Sequence, residues 1–181
     1  SLAAVGKRVL LIDMDAQGNA STGLGIKRSD REVSSYDLLF GEKTIEDCVA
    51  STRVPRLSII PSSMNLSGAE IELVGAENRE FLMKEALDGA GQNYDYIVID
   101  CPPSLNMLTI NALVASHGVI IPMQCEYYAL EGLSALMDTI SAISATANPQ
   151  LQIEGILRTM YDPRSKLTLE VSGQLFTHFG D

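Results

Sequence analysis

The sequence predicts an α/β protein, a mostly parallel twisted sheet with helices on both faces. Three observations carry that prediction. Val9 to Ile12 and Tyr96 to Ile99 are strand-like apolar runs; the first has no polar alternation, as expected of a strand covered on both faces. Each run ends abruptly in a carboxylate, Asp13 and Asp100. Strand-like and helix-like stretches then alternate along the chain, which favours parallel crossovers.

The elements follow in order. After the first strand, Ala20 to Ile26 is small and Gly-rich and reads as a loop with a short helix. Ser34 to Leu39 opens with capping residues and continues with apolar spacing, and Thr44 caps a second brief helix reaching Val49. Leu57 to Ile60 is a strand stopped by Pro61, which cannot continue a ladder. Leu66 to Val74 and Asn78 to Leu87 read as helices, before Gly89, Gly91 and Asn93 break the chain. Tyr96 to Asp100 is a strand, Leu105 to Ala115 a helix and Gly118 to Met123 the fourth strand. Leu130 to Ala145 is the longest helical pattern, with Leu133, Leu136, Met137 and Ile140 at core spacing. Leu151 to Met160 carries the fifth strand and Leu167 to Phe179 the last helix.

The chain of 181 residues suits one domain with a substantial core. Its 46% hydrophobic and 20% charged residues are ordinary for a soluble globular protein. Its longest apolar runs are too short to span a bilayer, and Ser1 to Ala4 do not read as a signal peptide. Cys48, Cys101 and Cys125 are odd in number and lack metal-ligand spacing, which favours reduced, packed thiols in a cytoplasmic protein. A net charge of −10 argues against a protein that coats nucleic acid with its whole surface. Ser1 to Ala4 reads as the last turn of a helix stopped at Gly6, and Leu175 to Phe179 as a helix still under way. The expectation is therefore a fragment, residues 1–181 forming one α/β domain.

The acids are the chemical signal. Asp13 and Asp15 would share one side of the strand tip if the chain stayed extended that far. Ligands of open α/β sheets bind outside the carboxyl ends of the strands, and two unpaired acids there repel unless a cation or water network lies between them. A strand-end Asp can also simply cap the next helix. With two such strands plus Asp15, a magnesium–phosphate site gains ground, because Mg²⁺ keeps several waters and takes one or two carboxylates plus substrate phosphates. A second carboxylate could then orient the attacking water.

The run R-V-L-L-I-D-M-D-A-Q-G-N-A-S-T-G-L-G resembles the segment that follows the P-loop in ParA-type chromosome and plasmid partition ATPases, relatives of MinD. The likeness continues through Y-D-Y-I-V-I-D-C-P-P-S-L, I-P-M-Q-C-E-Y-Y-A-L-E-G-L and G-I-L-R-T-M-Y-D-P-R, in family order, and favours the chromosomal, Soj-like branch. It implies a P-loop NTPase-like fold truncated at both ends. The family's K-G-G-x-G-K-[ST] run does not occur within these residues, so the expectation is that residues 1–181 alone neither bind ATP tightly nor hydrolyse it, whereas the intact protein does.

The resemblance implies roles position by position. Asp15 would polarise the attacking water in a first switch loop, and Asp13 would order that loop and the magnesium's waters. Asp100 would hold Mg²⁺ through water, and Cys101, Pro102, Pro103 and Ser104 would form the second switch. Thr159, Met160, Tyr161 and Asp162 would be the adenine-side loop, and Gln124 and Glu126 would lie near the nucleotide-sandwiched dimer interface. Arg164, with Lys166 behind it, would contact DNA. The implied cofactors are ATP and Mg²⁺. The implied partners are a second copy, a ParB-type centromere-binding protein and DNA bound without sequence preference, with no membrane, in a nucleoid-associated cytoplasmic protein. A MinD-like positioning ATPase would instead carry a C-terminal amphipathic membrane helix. A receiver-like regulatory module would need a lysine ending a later strand, where Met123-Gln124 and Met160-Tyr161 stand. Cys101 reads as a structural thiol, His117 and His178 as surface or packing residues, and Tyr127-Tyr128 as core.

Overall fold

Strand β1 (Val9–Asp13) holds the centre of the first sheet, and its sequence explains why. Leu10, Ile12 and the following Met14 point one way and have no exposed surface, while Val9 and Asp13 on the opposite side are also buried. β2 (Ala50–Ser51), β3 (Leu57–Ile60) and β4 (Tyr96–Asp100) complete a sheet of order β2-β3-β1-β4. β1 runs parallel to β3 and to β4, whereas the two-residue β2 pairs antiparallel with β3. The computed structural model describes residues 1–125 and 129–179, in two compact units, Ser1–Ala115 and Ser116–Asp181.

The first unit carries six α-helices among its described residues: α1 (Asn19–Gly23), α2 (Ser35–Leu39), α3 (Ile45–Cys48), α4 (Leu66–Val74), α5 (Leu82–Ala86) and α6 (Met107–Ala115). Ser34 and Thr44 start α2 and α3 with full capping boxes, closed by Asp37 and Asp47. Leu38, Leu39, Leu66, Leu73, Met83 and Leu108 from these helices pack with Leu10, Ile12 and Ile60 in one core. Asn111 ties α6 to α5: its amide donates to the Arg79 carbonyl and its Oδ1 accepts from the Met83 N–H.

Two expectations shift. The helix predicted from Asn78 begins only at Leu82, because Asn78 takes a left-handed conformation (φ 51°) that ends any helix there. α6 starts at Met107 rather than Leu105, since Asn106 Oδ1 accepts the Leu108 and Thr109 N–H groups and so acts as the cap. β4 is the outer strand of this four-stranded sheet, and its Tyr96 and Val98 are exposed.

The second unit pairs β5 (Gly118–Gln124) with β6 (Gln152–Thr159) in parallel. A register shift lies at Val119/Ile120, where one residue of β6, Glu154, falls unpaired between Ile153 and Gly155. A Cβ at Gly118 would stand 2.6 Å from Glu154 Cγ, so a side chain here would have to displace that of Glu154. Helices α7 (Ala129–Thr146) and α8 (Lys166–Phe179) supply buried Leu133, Ile140, Val171 and Leu175. Among the described residues no helix is long and apolar enough to cross a membrane.

Candidate functional site

The ladder between β1 and β4 continues to its last residues, so Asp13 and Asp100 stand side by side as register partners. The Met14 N–H then donates to the Asp100 carbonyl at 2.8 Å, which holds the two strand tips together past the end of β1. Asp13 has no exposed surface. Its Oδ2 accepts from the Ser21 N–H (2.8 Å) and hydroxyl (2.6 Å), and its Oδ1 from the Asp15 N–H at 3.2 Å. The same residue's carbonyl accepts the Ser35 hydroxyl. Asp13 is therefore fully engaged in fixing the loop that follows it.

Asp15 differs because the chain does not stay extended. It opens a turn, its carbonyl accepting the Gly18 N–H and its Oδ1 the Gln17 N–H, and it remains half-buried. Asp100 feels both neighbours. Its carboxyl is pushed above the ordinary carboxylate value, first by partial burial and then by the negative charge of Asp13 and Asp15. None of the three acids has an ion-pair partner among the described residues.

Past β4, Cys101 and Pro102 are half-buried while Pro103 and Ser104 are exposed. The Ser104 carbonyl accepts the Thr109 hydroxyl, which anchors this turn to the start of α6. Burial pushes the Cys101 thiol up to about 12, with the Asp100 charge adding to it, so the thiol is held in its unreactive form.

Within the second unit, Gln124 and Thr159 are register partners at the ends of β5 and β6. Met160 follows with a left-handed backbone (φ 52°) and a side chain that is 84% exposed. The Arg158 guanidinium lies 4.8 Å from the ring centre of Tyr161 and 5.2 Å from that of Phe176. Arg164 is exposed, but its guanidinium is bound by Asp162 through Nε and Nη2, both at 3.0 Å. Lys166 is the first residue of α8. Glu126, Tyr127 and Tyr128 lie outside the described residues, as does the side chain of His178; His117 is exposed.

Sequence reasoning missed the serines and the arginine that build the loop. Ser21, Ser35 and Ser62 have no exposed surface, and Ser21 Oγ, besides donating to Asp13, accepts the Ser62 N–H at 3.1 Å. Arg31 is only 9% exposed and donates into the loop at Gly18, Thr22 and Ile26. The one signal was the crowding of small hydroxyl residues after Asp13, which reads equally well as an ordinary turn.

The fold and this strand-tip site define an ATPase domain of the α/β type, and residues 1–153 match the AAA domain family. The chain is 52% identical over 180 residues to the sporulation initiation inhibitor protein Soj of Bacillus subtilis, covering 99% of this chain and 71% of that one. It is 49% identical to the chromosome partitioning protein ParA of Caulobacter vibrioides, covering all of this chain and 68% of that one. A solved structure of a cobyrinic acid a,c-diamide synthase from Mycobacterium smegmatis, with a bound ATP analogue and magnesium, superposes with a TM-score of 0.92 at 35% identity, covering 98% of this chain and 72% of that one. The chain belongs to the ParA/Soj family of partition ATPases.

Proposed function

We propose that these residues form the magnesium-and-water side of an ATP-dependent chromosome or plasmid partitioning protein. The observation that carries this reading is the pairing of Asp13 with Asp100 at two adjacent strand tips, with Asp15 held two residues on. The donor set fits magnesium. It consists of carboxylate oxygens without a cation partner among the described residues, and partial burial, then the charge of Asp13 and Asp15, already raises Asp100. Bound magnesium would neutralise phosphate charge.

Asp100 would hold the ion's water shell, and Asp15 would accept a hydrogen bond from the attacking water. Asp13, buried and saturated, would keep the loop in place for Asp15. Cys101 to Ser104 would pass the state of the site to α6. Thr159, Met160, Tyr161 and Asp162 would line the base of the nucleotide, and Gln124 and Glu126 the edge facing a second copy. Arg164 and Lys166 would contact DNA phosphates in the ATP-bound dimer, and a ParB-type partner would stimulate hydrolysis and release. A few cations bind weakly and in a salt-sensitive way, so dimerisation would multiply their effect. The higher identity to Soj and ParA favours partitioning over the amide-forming activity named for the structural relative.

The test is ATP hydrolysis and DNA retention by the full-length protein. The expected result is magnesium-dependent hydrolysis that DNA and a ParB-type partner accelerate, abolished by Asp15→Ala, with ATP-dependent retention on DNA. Hydrolysis at the wild-type rate in Asp15→Ala would sink the assigned chemistry.

A further inference from the structure

The Arg31 guanidinium is a buried cation that spends its hydrogen bonds on neutral groups. Among the described residues it has no carboxylate partner. Its Nη2 donates to the Thr22 hydroxyl and the Ile26 carbonyl, both at 2.8 Å, with a longer contact of 3.5 Å to the Gly18 carbonyl. All three acceptors belong to the loop and short helix that follow Asp15. Burying a charge without a counter-ion is costly, and the cost grows here because Nε has no hydrogen-bond partner.

The backbone is shaped to admit it. Gly18 has φ 66°, and a Cβ built there would stand 2.1 Å from Arg31 Nη1 and 2.9 Å from Ser62 Oγ. The guanidinium thus lies close against Gly18, and a side chain there would have to displace it. That peptide is the far end of the turn opened by Asp15, whose carbonyl accepts the Gly18 N–H at 2.8 Å. From the other side, Thr22 donates to the Gly18 carbonyl through both its hydroxyl (2.8 Å) and its N–H (2.9 Å). Asp13 grips the start of the loop and Arg31 grips its end.

We propose that Arg31 is a positioning residue for ATP hydrolysis, a strap across Gly18, Thr22 and Ile26 that holds the Asp15 turn in its working geometry. This rests on Asp15 acting on the attacking water. The hydrogen bonds of Arg31 all go to the loop itself, so its removal should slow turnover without weakening nucleotide binding. A displacement of the order of 1 Å in such a group can cost about a hundredfold in rate.

The experiment compares wild-type, Arg31→Met, Thr22→Val and Gly18→Ala in the full-length protein. It reads kcat, KM for ATP at saturating magnesium, and amide hydrogen exchange across residues 18–26. Arg31→Met keeps the apolar stem and removes the donors. Gly18→Ala drives the guanidinium out, and Thr22→Val removes one acceptor together with that hydroxyl's own bond to the Gly18 carbonyl. The expected result is a fall in kcat of about ten- to a hundredfold for Arg31→Met, a KM within about twofold of wild type, and faster exchange at 18–26 while β1 amides stay protected. Gly18→Ala should match it, and Thr22→Val should lie between. Unchanged exchange in Arg31→Met overturns the strap. Faster exchange with unchanged kcat overturns the positioning role, and a parallel rise in KM shows a binding role instead. Asp15→Ala, run alongside, reports on the underlying chemistry separately.

Discussion

Asp13 and Asp100 are neighbours across the β1–β4 ladder, yet they meet opposite environments: the Asp13 carboxylate accepts three hydrogen bonds and is fully buried, while Asp100 sits on the outer strand of the sheet under the field of two other acids. Two carboxylates of the same type, one residue-width apart, are thereby set up for different work.

The first prediction concerns Asp100 and pH. Its pKa is raised in the folded state, so the protonated form is favoured by folding; that contribution is present at low pH and lost as pH rises through the folded value. At pH 7 and without magnesium, Asp100→Asn should melt higher than wild type, and the gap should close as pH falls below about 4, the ordinary carboxylate value. The same variant should need about tenfold more magnesium for half-maximal hydrolysis, a shift of about 1.4 kcal/mol. A lower melting temperature at pH 7 would contradict the electrostatic account.

Asp15 carries the second. Asp15→Ala should lower kcat by about a hundredfold or more, the range expected for a positioned base. KM for ATP should change little, since the side chain's one internal bond is to the Gln17 N–H of its own turn. Single-turnover kinetics separates the two parameters.

Ser21 joins three segments, and Ser21→Ala would leave the Asp13 carboxylate short of a donor and the buried Ser62 N–H without an acceptor. The expected loss is about 1–3 kcal/mol of stability for each group left unpaired. Urea unfolding of the full-length protein measures it. A change under about 0.5 kcal/mol, the range of an uninvolved surface site, would show that the network matters little.

In the proposed DNA contact, Asp162 would compete with phosphate for Arg164. Asp162→Asn should free the guanidinium and strengthen ATP-dependent DNA binding, whereas Arg164→Glu should abolish it. Arg164→Ala should reduce the slope of log affinity against log salt by about 1. Fluorescence anisotropy over a salt series reads both. Equal affinity for all of these variants removes Arg164 from the DNA-contacting surface.

The thiols supply a last test. Cys48 is raised to about 11 and Cys101 to about 12, in both cases chiefly by burial. At pH 8 both should alkylate far more slowly in the native protein than in urea, as mass measurement of the modified peptides would show.

Much of this was legible from local pattern. The aliphatic runs place β1, β3, β4, β5 and β6, and the Ser34 and Thr44 capping boxes place two helix starts to the residue. Local pattern failed where geometry is settled by distant partners. β2 exists because Ala50 and Ser51 find Ile59 and Ser58 as ladder partners, and a two-residue strand has no periodicity to read. The candidate site divides in the same way. Its acids stand out because carboxylates rarely end apolar strands without cause. Ser21, Ser35, Ser62 and Arg31 are joined to them only by folding, and a hydroxyl or cation in a loop looks the same whether buried or solvated.

The saturation of Asp13 bears on how loss-of-function variants of this protein should be sorted. Its carboxylate and carbonyl stitch together the strand end, the turn after it and the start of α2. A neutral replacement there would slow turnover by loosening that seam, and scored by enzyme assay alone it would look like a chemical defect. Thermal melting tells the two apart: variants at Asp15 should keep the parent's transition, while those at Asp13 should melt early.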